Sequence, residues 1–414
     1  MARRVVISGV GAVTPVGNDP DTFWKNLLSG VSGAGPLTRF DDYEFPSQIA
    51  AEVKGFDPSN YIDGKEARRI DLFAQYAIVA SAQACEQAKI EKNSIDPQRA
   101  GVLIGSGIGG ITTLLNNYRT LLERGPRRVS PFVIPMMIPD IASALVSIRY
   151  NMRGPNFTTV SACASGAHAI GESFRMVRDG VADLMITGGA EAPLHPLAYA
   201  GFCAAKALTT RNDDPKRASR PFDRDRDGFL MAEGAGILIL EELESAKKRG
   251  APILAEVIGY ASTGDAFHIT APHEDGTGAA ESMKKALEDA NIKPEDVDYI
   301  NTHGTSTPAG DVGECKAIVQ VFGRGKGKPL INSTKSMVGH TLGAAGGVEL
   351  VATTLSLKSG WIHPSINIEN FDQACDGLAI VQEKVEAKPK IAISNSFGFG
   401  GHNATIVLKK WEDE

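Results

Sequence analysis

The stretch Val160-Ser-Ala-Cys163-Ala-Ser-Gly-Ala-His168 places a thiol among small residues. The apolar run from Asn156 to Val160 precedes it and a helical pattern continues through Val177, so Cys163 is expected at a strand-to-helix turn. A thiol at a helix N-terminus feels the positive end of the helix dipole, which lowers its pKa and favours the nucleophilic thiolate. Small neighbours leave room for a carbonyl carbon at the sulfur. An inert buried cysteine is the plainer alternative, and the histidines further along the chain argue against it.

Asn301-Thr-His303-Gly-Thr305-Ser-Thr307-Pro-Ala-Gly-Asp311 follows an apolar run and carries three hydroxyls close to His303, the composition of a site that grips a polar ligand. Asn332-Ser-Thr-Lys335-Ser-Met-Val-Gly-His340 ends another apolar run and leads into the small-residue helix Leu342 to Glu349. A buried lysine needs a counter-charge, and Glu349 is the natural partner for Lys335. Asn395-Ser-Phe397-Gly-Phe399-Gly-Gly-His402-Asn403 is too glycine-rich for an ordinary strand. Its backbone can approach a ligand, and its two phenylalanines can move. A cysteine hydrolase would want Cys163 and one histidine oriented by Asn or Asp, with no need for the second histidine.

These residues must be held by something. Short β-branched runs (Val5 to Gly11, Gly101 to Gly105, Asp183 to Gly188, Tyr299 to His303) alternate with amphipathic helical patterns (Ala67 to Ile90, Thr277 to Asn291), which predicts an α/β fold with covered sheets. The closing run Gly234 to Glu241 is echoed in style by Gly401 to Leu408, so two similar α/β halves are expected, residues 1–250 carrying Cys163 and 251–414 carrying both histidines. With 414 residues, 43% of them hydrophobic, the chain can bury a large core, and its 44 glycines point to close backbone packing. A net charge of −6 argues against a general nucleic-acid binder. No apolar run is long enough to span a membrane. The first strand begins at once, which leaves no room for a signal peptide, and five scattered cysteines make no disulfide framework, so a reducing, cytoplasmic setting is expected.

Two motifs imitate other chemistry. Gly105-Ser-Gly-Ile-Gly-Gly110 matches a dinucleotide fingerprint, but the acidic residue near the required distance, Glu123, lies in a helical pattern rather than at a strand end. Asp223-Arg-Asp-Arg-Asp-Gly228 opens like a calcium loop, yet its twelfth position is Gly234, and a surface turn with local ion pairs is expected instead. His168, Cys85, Cys203 and Cys315 are read as structural, and His268 and His273 as surface or entrance residues.

From Val5 to Leu408 the chain resembles the two-histidine, decarboxylating ketoacyl synthases of the thiolase superfamily, and Ser219 to Phe229 resembles their type II more than their type I. The resemblance implies a layered αβαβα fold and a homodimer that extends acyl chains with malonyl groups delivered on acyl carrier protein. It implies no cofactor beyond the phosphopantetheine of that carrier. By the same resemblance Cys163 carries the acyl group and the N–H groups of Cys163 and Phe399 form the oxyanion hole. His303 and His340 stabilise the enolate, and Lys335 with Glu349 and Asp311 sets the charge around them. Thr305 and Thr307 would bond the phosphopantetheine arm, while Ile108, Phe202, Phe397 and Phe399 would line the acyl pocket. Lys65, Arg68, Arg69, Arg127, Arg128 and Lys206 would face the acidic carrier. Val338 and His402 depart from the family, which has Thr at both places. A non-catalytic relative would lack Cys163.

Overall fold

The computed structural model describes residues 3–41, 43–325 and 329–412. Eleven strands form its main sheet: β1 (Val5–Val13), β2 (Ala100–Gly105), β3 (Asn156–Phe157), β4 (Leu184–Glu191), β5 (Gly234–Glu242), β6 (Ala255–Gly264), β7 (Tyr299–Asn301), β8 (Leu330–Asn332), β9 (Ala379–Ile380), β10 (Ile391–Gly398) and β11 (His402–Lys410). The first five lie in the order β1-β5-β4-β2-β3 and the rest in the order β6-β11-β10-β7-β8-β9. Apart from the added edge strand β9, the same winding occurs twice: first strand, last, second-last, second, third. The directions repeat as well. The first strand pairs antiparallel with the last in each half, and the second and third strands pair parallel. A short antiparallel seam, Val5–Ile7 against Ala255–Val257, joins the two.

Helices cover both outer faces and fill the middle. α1 (Leu72–Gln87) packs on β1, β5 and β4, and α2 (Ile141–Tyr150) packs on β2. Between the halves lie α3 (Ser165–Arg178) and α6 (Ala345–Ser359), each touching strands of both. On the far side α4 (Thr277–Asp289) covers β6 and β11, with α5 (Pro308–Phe322) against it. The result is the five-layer αβαβα arrangement.

A helix in the central layer has no wet face, and α6 is buried from Ala345 to Leu357. Its hydroxyls are satisfied internally: Thr353, Thr354 and Ser356 donate to the carbonyls of Glu349, Leu350 and Ala352. Small residues let this helix touch the sheet backbone. A Cβ on Gly347 would sit 2.2 Å from the Gly236 carbonyl oxygen, so nothing larger than hydrogen fits.

Three sequence expectations change. β3 stops at Phe157, because the chain leaves the sheet edge to build the cysteine turn. The Ala67 to Ile90 helix begins at Leu72, after a separate turn of helix at Gly64–Ala67. The segment 223–228 is only partly the expected surface turn: Arg224 and Asp225 are exposed and pair locally at 3.4 Å, but Asp223 and Arg226 are buried, and Arg226 pairs with Asp311 at 3.4 Å and Asp372 at 2.8 Å. The buried Arg226 meets partners remote in sequence, which local spacing does not reveal. Among the described residues no helix is long and apolar enough to cross a membrane.

Candidate active site

Cys163 sits two residues before the first residue of α3 in a turn that Ser165 pins. The Ser165 hydroxyl accepts the N–H of Ser161 at 2.9 Å and donates to the carbonyl of Ala162 at 2.6 Å. The turn drives Ala162 to φ +50°, a left-handed conformation that residues with a Cβ rarely adopt and that surrounding structure must enforce. The sulfur is buried. Burial pushes the Cys163 thiol up to about 12, and the Glu191 carboxylate pushes the same way. The Lys335 charge and the N–H groups of Phe399 and Cys163 pull against this. The sequence reading of a lowered thiol pKa is therefore reversed: loss of water around the thiolate outweighs the helix end.

His303 follows β7, and Lys335 follows β8. The Lys335 ammonium donates to the His303 carbonyl at 2.6 Å, to His303 Nδ1 at 3.3 Å, and to the Glu349 carboxylate. A donor at Nδ1 leaves the ring proton of neutral His303 on Nε2. His340 is held through its backbone, donating to Leu230 at 2.7 Å and accepting from Ala232 at 3.0 Å. The two rings stand edge to face with centroids 5.3 Å apart. Burial first, and then the Lys335 charge, hold both imidazoles well below the usual histidine range. Both are neutral near pH 7, so each can offer an N–H without carrying charge.

Two carboxylates set the backbone around His303. Glu314, on α5, accepts the N–H groups of His303 at 2.9 Å and Gly304 at 2.7 Å, and burial raises it to about 7. Asp311, one helical turn earlier, accepts from Phe222 at 2.9 Å and Ser306 at 3.1 Å and pairs with Arg226. The expected grouping of Asp311 with Lys335 and Glu349 is corrected here. Asp311 faces Arg226 and shapes the 305–307 loop, while Glu349 alone pairs with Lys335.

Cys163, His303, His340, Thr305, Thr307, Phe202, Phe397 and Phe399 line one cavity of about 390 Å³. The hydroxyls of Thr305 and Thr307 lie 2.9 Å apart, and the Phe202 and Phe399 rings 6.4 Å apart. The Phe399 turn is held by hydrogen bonds from Gly400 N–H to the Ile269 carbonyl and from Asp265 N–H to the Gly401 carbonyl. Ile108 does not line this open space. It packs instead on the apolar cluster that contains Cys163, Phe229 and Leu342. Of the six basic residues, Lys206 lines the cavity, and the half-buried His273 lines it too, as the entrance reading expects. Lys65 and Arg69 line a second cavity with Phe132, over whose ring Arg69 lies at 4.7 Å, and Arg68, Arg127 and Arg128 are exposed.

The glycine-rich turn after β2 has a use of its own. The N–H groups of Gly107, Ile108 and Gly109 all donate to the buried Glu191 carboxylate, at 2.7, 3.0 and 3.2 Å. Ser106 Oγ and Gly343 N–H complete the cradle. The anion that this loop binds is the protein's own. Sequence reasoning missed both Glu191 and Glu314. The available signals were an acidic residue closing an apolar strand and an acidic residue three places after Asp311 on a helix.

A thiol held neutral by burial reacts slowly and with a steep pH profile. Iodoacetamide modification of Cys163 is expected to rise about tenfold per unit between about pH 7 and 10 without the levelling that an ordinary cysteine shows near its pKa of about 8.5. A plateau below about pH 8 would show a thiolate and overturn the burial argument.

Residues 2–246 match the model of the beta-ketoacyl synthase N-terminal domain and residues 254–369 that of the C-terminal domain. The chain is 51% identical over 410 residues to the 3-oxoacyl-[acyl-carrier-protein] synthase 2 of Synechocystis sp., with 99% of each chain covered. It is equally similar, with the same coverage, to the enzyme of that name from Staphylococcus aureus. A beta-ketoacyl synthase structure from Burkholderia phymatum superposes with a TM-score of 0.93 at 36% identity, covering 99% of this chain and all of the other. A ketosynthase structure described as in complex with its type II polyketide acyl-carrier protein superposes at 0.89, with 34% identity and full coverage of both chains. With fold, site geometry and full-length similarity in agreement, the chain belongs to the beta-ketoacyl synthase family.

Proposed function

We propose that this chain is a 3-oxoacyl-[acyl-carrier-protein] synthase that extends a cysteine-bound acyl group by decarboxylative Claisen condensation. The observation that carries this reading is the meeting of one buried thiol with two neutral imidazoles in a single cavity. Residues 1–250 supply the thiol and residues 251–414 the imidazoles.

The Cys163 sulfur attacks the thioester carbonyl of the acyl carrier, and its proton leaves on the phosphopantetheine thiol. The N–H groups of Cys163 and Phe399, which already face the sulfur, hold the oxyanion. Malonyl thioester then enters along Thr305 and Thr307 and loses carbon dioxide. The N–H donors of His303 and His340 hold the enolate oxygen. The enolate carbon attacks the acyl-cysteine, expelling the sulfur, which regains a proton. A neutral donor suits this step because it needs no prior protonation equilibrium at neutral pH.

Division of labour tests the roles. Cys163→Ala is expected to abolish acyl transfer, while His303→Ala and His340→Ala still acylate but lose decarboxylation by about 10²-fold or more. Wild-type condensation by either histidine variant would overturn the assignment. In the same assay Arg68→Glu is expected to raise KM for carrier-linked substrate and leave a pantetheine substrate nearly unaffected, because complementary charge steers a protein partner. Equal loss on both substrates would remove the basic residues from a docking role.

Ile108 packs on the apolar cluster that contains Cys163, and the acyl chain is proposed to run along that cluster. Each methylene buried there gains about 0.8 kcal/mol, which a larger side chain would replace with a clash. Ile108→Phe is expected to spare short acyl substrates and to lower kcat/KM sharply for medium and long ones. A uniform fall at unchanged Tm would count against Ile108 as part of the acyl wall.

A homodimer is also proposed. Leu114, Tyr118, Leu121 and Leu122 form one exposed stripe on the helix Ile111–Arg124, and Phe157 is exposed on the edge strand β3. A stripe of this spacing normally finds a partner. Leu122→Lys is expected to shift the sedimenting species from dimer to monomer; a wild-type protein that sediments as a monomer would refute the dimer.

A further inference from the structure

Helix α5 is tied to the segment Asp372–Cys375 at two places about one turn apart. The first tie is Arg226, between Asp311 and Asp372. The second is four residues further along α5, where the sulfur of Cys315 lies 2.7 Å from that of Cys375, 60 residues away in sequence. Both thiols are buried and free, and neither belongs to the cavity of Cys163. A covalent S–S bond of about 2.05 Å needs less than an ångström of further approach. The packing already presents both side chains to each other across the tie.

We propose that Cys315 and Cys375 form a redox-modification site that closes to a disulfide on exposure to hydrogen peroxide. The Cys375 sulfur attacks a peroxide oxygen, giving a sulfenic acid and releasing one water. The Cys315 sulfur then attacks that sulfenic sulfur, loses its proton and expels a second water. Two thiols and one peroxide thus become one disulfide and two waters, with the sulfurs oxidised and the peroxide reduced. The order follows from exposure, since Cys375 keeps 4% of its surface and Cys315 none. Its hydrogen bond to Cys375, and then burial, hold the Cys315 thiol protonated until a sulfenic acid is beside it.

The site matters because Cys315 adjoins Glu314, whose carboxylate holds the backbone of His303 and Gly304. A covalent tie here fixes the helix that positions that loop. It is a strap, since the movement needed is too small to rearrange α5, and cross-linking distant segments stabilises the folded state by restricting the unfolded chain.

The test uses the Cys163→Ala protein, so that the cavity thiol cannot react. The protein is treated with hydrogen peroxide, quenched, alkylated in denaturant and mapped as peptides without reduction. The expected result is a cross-linked Cys315–Cys375 peptide pair, two hydrogens lighter than the two thiol peptides. Tm should rise, and dithiothreitol should reverse both changes. Introducing Cys315→Ser should abolish the cross-link and the rise in Tm. Recovery of both cysteines as alkylated thiols would overturn the proposal, as would sulfinic acid on Cys375 beside a free Cys315.

Discussion

The ion pair of Lys335 with Glu349 governs the geometry of the site. Both side chains are 1% exposed, and taking each charge out of water costs several kcal/mol. An ammonium has three protons, and here each has an acceptor: the Glu349 carboxylate, the His303 carbonyl and His303 Nδ1. Full use of the donors offsets the burial and orients the ring. Because Glu349 belongs to the central helix α6 and His303 to the end of β7, a proton position in the cavity is fixed from the middle of the molecule. Burial keeps the imidazoles neutral, and the same cation adds to that effect.

Meeting of the thiol and the second histidine depends on backbone contact in the central layer. Cys163 precedes α3 and His340 precedes α6 by one short turn. A Cβ on Gly346 would lie 2.5 Å from the Ala167 nitrogen, and one on Gly166 would lie 2.9 Å from the Gly343 carbonyl oxygen. The two helix starts therefore touch main chain to main chain. Groups carried just ahead of them, one from each half of the chain, open into the same cavity. Larger side chains at these crossings would separate the thiol from the imidazole without altering either.

Much of this was legible in the sequence because it is local. The cysteine turn, the polar turn after β7, the small-residue start of α6 and the repeated closing strands each show in a few consecutive residues. The Lys335–Glu349 pair was legible too, since both lie in one segment and a buried lysine demands a counter-charge. What escaped depends on partners far along the chain or on the depth of burial. Asp311 looked like a neighbour of Lys335 until Arg226, some 80 positions earlier, took it. The thiol's pKa direction followed the helix end, which spacing shows, and missed desolvation, which it does not. The turn at 105–110 was legible as a glycine-rich strand-end turn, but the carboxylate that fills it, Glu191, comes from the neighbouring strand.

That carboxylate has a consequence for how the molecule is put together. Glu191, itself fully buried, gathers donors from the glycine turn of the first half and from Gly343 of the second. The loop bearing Ile108 and the loop just after His340 are thereby joined through the two oxygens of one carboxylate. The two windings resemble duplicates, yet neither is a self-sufficient module: prised apart, the first would keep its carboxylate with one donor missing, and the second would expose an amide shaped for a charge it does not carry.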